Sequence, residues 1–195
     1  MYNSKDLNIK LKYKKPDYIK LKKIFSYPIS SFLNGLGHWT YTDTDNLVKN
    51  YYCSNFINHS SNKNKDGYIY CNLENVHYFC ENNGKTCVIK NNKFNIDYKP
   101  TIKPSKLLNI DDWAKIYYYQ AGENDGDDWI MICQNKKGVY IYFRASCDYT
   151  GFDCQGGGEI SYSSNEQIFW NHCLDNFGRT MVLKENGVNM KINMK

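Results

Sequence analysis

Leu7, Ile9, Leu11 and Tyr13 alternate with Asn8, Lys10, Lys12 and Lys14, the two-residue period of a strand with one wet face. Lysines along one face guard a first strand against unwanted pairing, so residues 1–23 read as a basic arm and edge strand. After Pro28 the period is lost in SSFLNGLGHWTYTDTDN, a glycine-containing loop that leads to a helix start. Asp43 or Thr44 is the expected N-cap of a short helix near 45–52. HSSNKNKDG, 59–67, is polar and reads as a loop. Strands follow at 68–71, 76–80 and 86–90. The last two flank ENNGK, whose Asn83-Gly84 pair predicts a hairpin turn. KPTIKPSK, with Pro100 and Pro104, reads as a connector.

The second half is more strongly patterned. WAKIYYYQ (113–120), WIMICQ (129–134) and VYIYFRAS (139–146) are rich in aromatic and branched residues and predict strands, with NKKG turning between the last two. Residues 160–162 predict a short strand. Ser163 with Glu166 three residues on is a capping-box signature for a helix through Leu174, with Ile168, Phe169 and Cys173 on its core side. ENG at 185–187 predicts a hairpin between 181–184 and 188–192. The class is α+β: mainly antiparallel sheet with a few short helices, in two β-rich subdomains. The organisation expected is an arm over 1–23, an α+β subdomain over 24–103, and a second over 104–195 that carries CDYTGFDCQGGG.

Composition changes this picture in three places. The mean hydropathy of -0.68 is low for a packed protein, but 18 Tyr account for much of the gap, because the ring buries well while the scale scores it as polar. The chain holds 25 Asn and 23 Lys against three Ala and two Arg, the profile of an A/T-rich coding sequence, so the Lys excess is not in itself a message about partners. Its net charge of +5 is uneven: residues 1–23 hold eight Lys against Asp6 and Asp17. An arm of that charge points to nucleic acid or another polyanion, through Lys10, Lys12, Lys14, Lys15, Lys20, Lys22 and Lys23. The absence of Arg in the arm weighs against bidentate contacts to phosphate or guanine. The polar, basic opening is no secretory signal and no apolar run has the length of a membrane span, so no membrane association and a cytoplasmic location are expected. In that reducing setting the eight Cys read as free thiols.

Four chemistries can be written from the residue types. Zinc would draw on Cys71, His77, Cys80 and Cys87, but there is no CxxC pair, and on one straight strand His77 and Cys80 point to opposite faces. The predicted hairpin also puts Cys80 opposite Cys87, within reach of a disulfide that the compartment disfavours. Calcium would draw on Glu123, Asp125, Asp127 and Asp128 in ENDGDD, although the order does not match an EF-hand. A catalytic or ligand site would centre on Cys147, Asp148, Asp153, Cys154 and Gln155. Cys173 next to His172 cannot serve as nucleophile and base, because adjacent helix positions diverge. Gly156, Gly157 and Gly158 lead into Glu159 and a strand instead of a helix, which suits a bend better than a phosphate cradle. No cofactor is expected.

Residues 111–179 carry DDW, YYYQAGENDGDDWIMIC, YIYFRASCDYTGFDCQGGGEI and a helix ending in FGR. In this order they resemble a group of uncharacterised small domains of bacteria and large DNA viruses, typified by a strand ending in a CDYTG[FW]DCQ-like segment. The resemblance covers about a third of the chain. With the A/T-rich composition, it implies a giant-virus protein of the mimivirus kind and brings no catalytic residues with it. The function expected is a non-enzymatic protein-binding or assembly module with a virion or host-interaction role. It would meet a protein partner, or itself, through an aromatic-rich surface, in the host cytoplasm or the virion. The alternatives are an enzyme or small-ligand or metal binder at 147–159, and nucleic-acid association through the Lys arm.

Overall fold

Asp17, just after Pro16, accepts the Lys20 N–H on its side chain at 3.1 Å and the Leu21 N–H on its carbonyl at 2.9 Å. It thereby caps helix α1 (Tyr18–Leu33). The computed structural model describes residues 11–33, 38–45, 48–53, 68–73, 76–81, 86–90, 93–95, 102–148 and 155–188, the strands between 48 and 95 by their backbone alone. The edge strand expected over 1–23 therefore gives way to helix at Tyr18, and Lys20, Lys22 and Lys23 sit on α1. The reason lies beyond the alternation: Leu21, Phe25, Pro28, Ile29 and Phe32 recur at helical spacing and are all buried. Pro28 forgoes one backbone bond inside the helix, and its ring packs in the core.

The fold is α+β, a mostly antiparallel sheet with a few short helices. Its strands are β1 (His38–Asp43), β2 (Val48–Cys53), β3 (Tyr68–Leu73), β4 (Val76–Glu81), β5 (Thr86–Lys90), β6 (Lys93–Asn95), β7 (Trp113–Gln120), β8 (Trp129–Asn135), β9 (Tyr140–Asp148) and β10 (Gln155–Ser163). The main sheet runs β6-β5-β2-β1-β10-β9-β8-β7, with β3 and β4 paired separately. Strands from both sides of residue 103 lie in it, because β1 enters parallel beside β10. Three expectations are corrected here. Residues 48–53 form β2, not a helix, paired with β1 and β5. The strands flanking ENNGK pair with others: Cys80 stands opposite Ile69 and Cys87 opposite Tyr51, so no hairpin register brings the two cysteines together. Gly156–Gly158 are not a bend but the interior of β10, in register with Cys147, Ser146 and Ala145.

Each face of the sheet carries its own core. On one, α1, helix α2 (Pro104–Leu107) and the 3-10 turn Ile110–Asp112 cover Trp113, Met131, Ile141, Phe143 and Ile160. Trp113 lies at the centre, its Nε1 donating to the Leu107 carbonyl at 2.9 Å and its ring edge-on to Phe25 at 5.9 Å. Fully burying side chains of this size stabilises by about 1.5–3 kcal/mol each. The other face packs Tyr117, Ile132, Tyr140, Tyr142 and Phe169 under a short helical run and helix α4 (Asn176–Glu185). The run begins as α3 (Glu166–Ile168) and widens to a π-turn at Phe169–Cys173. Its cap is Asn165, whose side chain accepts the Ile168 N–H. Ser163 ends β10 and is not the cap expected from its spacing to Glu166. The hairpin expected around ENG is likewise replaced. Residues 181–185 are helical, and Gly187 at φ 76 closes the helix with its N–H on the Lys184 carbonyl and the Val188 N–H on the Leu183 carbonyl.

The arm is a strap. Lys14 exchanges both backbone hydrogen bonds with Ile116 on the edge strand β7, at 2.8 and 2.9 Å. Lys12 N–H then donates to Asn186 Oδ1 at 2.7 Å, and Leu11 packs on the second core. Residues 11–17 thus cross the β7 edge from the α1 face to the α4 face.

Gly158 fixes how β1 joins the sheet. A Cβ there would run into the Arg144 carbonyl oxygen and come within 2.7 Å of the Trp39 ring. Trp39, 3% exposed, instead lies over the glycine and stacks on Phe143 at 5.9 Å and 11°. Gly158→Ala is expected to lower stability by about 1–3 kcal/mol, read as the urea midpoint, through backbone overpacking. Ser146→Ala, at an exposed neighbour, should stay within about 0.5 kcal/mol of the parent.

Candidate functional site

The two ends of the CDYTGFDCQ segment are held in register: Asp148 stands opposite Gln155, and Cys147 opposite Gly156. Asp153 and Cys154 lie outside the described residues, as do the side chains of Asp148 and Gln155. Of the five candidates, Cys147 alone can be placed in full. It is buried, with its Sγ 3.6 Å from Tyr27 Oη on α1. Tyr27, itself half exposed, leans on Trp129 at 6.0 Å. Tyr27, Ser31, Trp39, Trp129, Cys147 and Gly156 line a small cleft of about 10 Å³, room for no more than a water molecule.

The acidic loop between β7 and β8 closes on the same strand end. Asp125 N–H donates to the Cys147 carbonyl at 2.9 Å, and Asp125 takes φ 58, a left-handed conformation that Asp tolerates better than most residues. Glu123 N–H meets the Asp127 carbonyl at 2.9 Å, drawing the loop into a compact turn. Its carboxylates do not converge: Glu123, Asp125 and Asp127 are exposed, while Asp128 turns away to Arg144. Among the described residues no three His, Cys, Asp or Glu side chains come together for a metal. The zinc candidates Cys71, His77, Cys80 and Cys87 lie on β3, β4 and β5, whose side chains are outside the described residues.

Arg144 is the polar hub of the opposite face. Its Nε donates to Asp128 at 2.6 Å and its Nη1 to Asp175 at 2.8 Å, with the Phe177 ring 6.0 Å from the guanidinium. Burial works against its charge, but the bond and field of Asp128, aided by Asp175, outweigh that and raise its pKa. Asp175 also caps α4 by accepting the Gly178 N–H at 2.6 Å. Arg179, the second arginine of the chain, donates to the Leu174 carbonyl at 2.8 Å. Both arginines thus serve one turn, where the planar guanidinium aims donors at two separate acceptors in fixed directions that a compact ammonium does not reproduce. Tyr142, fully buried beside this cluster, has its phenol pKa pushed up by burial and then by the charges of Glu159 and Asp175.

The described thiols are not poised as nucleophiles. Cys133 is fully buried, which raises its pKa well above the ordinary value. Cys173 donates to Thr44 Oγ1 at 3.1 Å, and burial pushes its pKa up to about 12. His172, next to it, is exposed on the other side of the turn. All three described cysteines are free and buried.

Of the arm lysines, Lys14 reaches Glu185 at 3.2 Å and Lys22 reaches Asp111 at 2.7 Å, while Lys15 and Lys23 are exposed and Lys20 lies over the Tyr119 ring. Lys10 is outside the described residues. Among the described residues the aromatic side chains lie mostly in the two cores, and Tyr13, Tyr27 and Phe177 are the large exposed ones. Residue-type reasoning missed the Arg144 hub and the Tyr27 contact. The first had a signal, two arginines in a chain of 23 lysines. The second had none, since it joins residues 120 apart. No helix among the described residues is long and apolar enough to cross a membrane. Comparisons of the chain with protein-family models, curated proteins and solved structures find no match in any of the three.

Arg144→Lys keeps the charge and loses the fork, so it should destabilise by about 1 kcal/mol, a figure set low because the pair is partly exposed. Urea melts of the variant and the parent check it. The thiols set a second expectation. A thiol whose pKa is higher folded than unfolded contributes stability that is complete below the unfolded value, about 8.5. For Cys173 that contribution declines as pH rises from there toward 12. Stability should therefore fall above about pH 8.5, and less steeply in Cys173→Ala. Peptide mapping after iodoacetamide at pH 8 should find Cys133 and Cys173 alkylated only when the protein is unfolded.

Proposed function

We propose that the protein is a non-enzymatic binding or assembly module whose contact surface is the end of the sheet where β9 stops and β10 starts. The observation that carries this reading is the Asp125 N–H to Cys147 carbonyl hydrogen bond, which ties the acidic loop to the root of the CDYTGFDCQ segment. The acidic loop is thereby tied to the end of β9, where Cys147 is anchored against the half-exposed Tyr27, and Arg144 clamps the loop through Asp128. Connections on a rigid scaffold are where proteins place recognition. An exposed tyrosine offers contact area at low entropic cost.

The enzymatic alternative at the same place is weaker. A cysteine nucleophile needs an accessible thiolate beside a base, and Cys147 is buried against a phenol and glycine backbone. The motif's resemblance to domains of large DNA viruses directs the proposal toward a virion or host-interaction role, with a protein partner or a second copy of the chain as the occupant.

A photo-cross-linking residue at position 146, exposed beside the segment, should give covalent products with the chain itself or with another protein. The same residue at position 184, on the outer side of α4, should not. Equal yields at the two positions, or none at 146, would overturn the reading.

A further inference from the structure

We infer that the β7 edge, with the arm and the first turns of α1, is a docking surface for single-stranded nucleic acid. The inference does not rest on the loop surface proposed above; it concerns another side of the molecule and stands or falls separately. Three lysines from three different segments ride over tyrosine rings along this edge. Lys115 Nζ lies 5.2 Å from the centre of Tyr13, Lys136 Nζ 5.9 Å from Tyr18, and Lys20 Nζ 5.6 Å from Tyr119. Tyr13, half exposed, is held edge-on by Tyr117 at 6.3 Å, and Tyr18 is fixed by its hydroxyl on the Trp113 carbonyl at 2.9 Å. These rings are therefore positioned before any ligand arrives.

The charge is in surplus. Lys15, Lys20, Lys23, Lys115 and Lys136 meet no carboxylate within ion-pair distance among the described residues, whereas Lys14 and Lys22 do. Asp17, the acid inside the stretch, caps α1 and offsets part of this charge through its field on Lys20. Cations alternating with ring faces along this edge match what a flexible strand offers: phosphates for the ammonium groups, and bases that can unstack onto the rings. A duplex offers the phosphates but keeps its bases stacked, and an anionic vesicle offers no bases. No arginine lies on this edge, so the fork that reads guanine or clamps phosphate is missing and binding should be indifferent to sequence.

The test is fluorescence anisotropy of labelled oligo(dT) and mixed-sequence single strands on the full chain, at low and at moderate salt. A duplex of equal length, heparin and anionic vesicles serve as competitors. Single strands of either sequence should bind alike and lose affinity linearly in log salt. Lys15→Ala with Lys23→Ala should flatten that slope. Tyr13→Ala should weaken binding roughly ten-fold and leave the slope unchanged, the loss of one stacked base. All variants are first shown by thermal melting to fold as the parent does. The inference is overturned by no binding at low salt, by competition from duplex, heparin or vesicles as strong as from single strand, or by a Tyr13→Ala variant that binds as the parent does. Failure here with cross-linking at position 146 intact would remove the nucleic-acid surface alone.

Discussion

The absence of one side chain decides how the sheet is assembled. With no Cβ on Gly158, Trp39 can lie flat across β10 and against Phe143, and that contact seats β1 parallel to β10. Phe32 of α1 meets the same indole edge-on at 5.0 Å, so the helix end, the parallel strand and the β9-β10 pair converge on one ring. Packing at native density leaves no slack to absorb a methyl group there. The cleft, the position of Cys147 and the approach of Tyr27 all follow from that convergence.

The arrangement of polar groups follows a different logic on the second face. Next to the aromatic packing of Tyr140, Tyr142 and Phe169, the same strands carry Arg144, Glu159 and Ser161, and the start of α4 is pinned to them through Asp175. The helix thus has two tethers of unlike kind: an apolar one through Val182, and an ionic one at its first turn that also holds the loop before β8 through Asp128. Removing one carboxylate would leave the guanidinium with a single partner in a partly buried setting, a costlier change than the exposure of the pair suggests.

Which parts of this were legible in the sequence follows from which physical signals are local. The strands at 113–120, 129–135 and 140–148 announce themselves by branched and aromatic runs whose neighbours in the chain are also their neighbours in the sheet. α1 was hidden because lysine alternation before it mimics a strand and Pro28 looks like a stop, although Asp17 and the spacing of Leu21, Phe25 and Ile29 spell a helix. The glycines of β10 read as a bend because a bend and a close approach ask for the same residue; only Trp39, more than a hundred positions away, tells them apart. ENG misled for a similar reason: a left-handed glycine ends a helix as readily as it turns a hairpin. For the site, the described part of the CDYTGFDCQ segment is its two strand ends, and the link from Cys147 to the acidic loop is a backbone bond that no residue type encodes.

The strap from residues 11–17 has a consequence in time. Its terminal hydrogen bond joins positions 174 apart, Lys12 to the residue that caps the final described helix. The arm precedes α4 in the chain, and the Asn186 end of its docking place does not exist until α4 has formed. Loop closure over such a separation comes after the local strand pairings have been made. The Lys12 end of the strap therefore closes late, after the pairings of β7, β8 and β9 have been made.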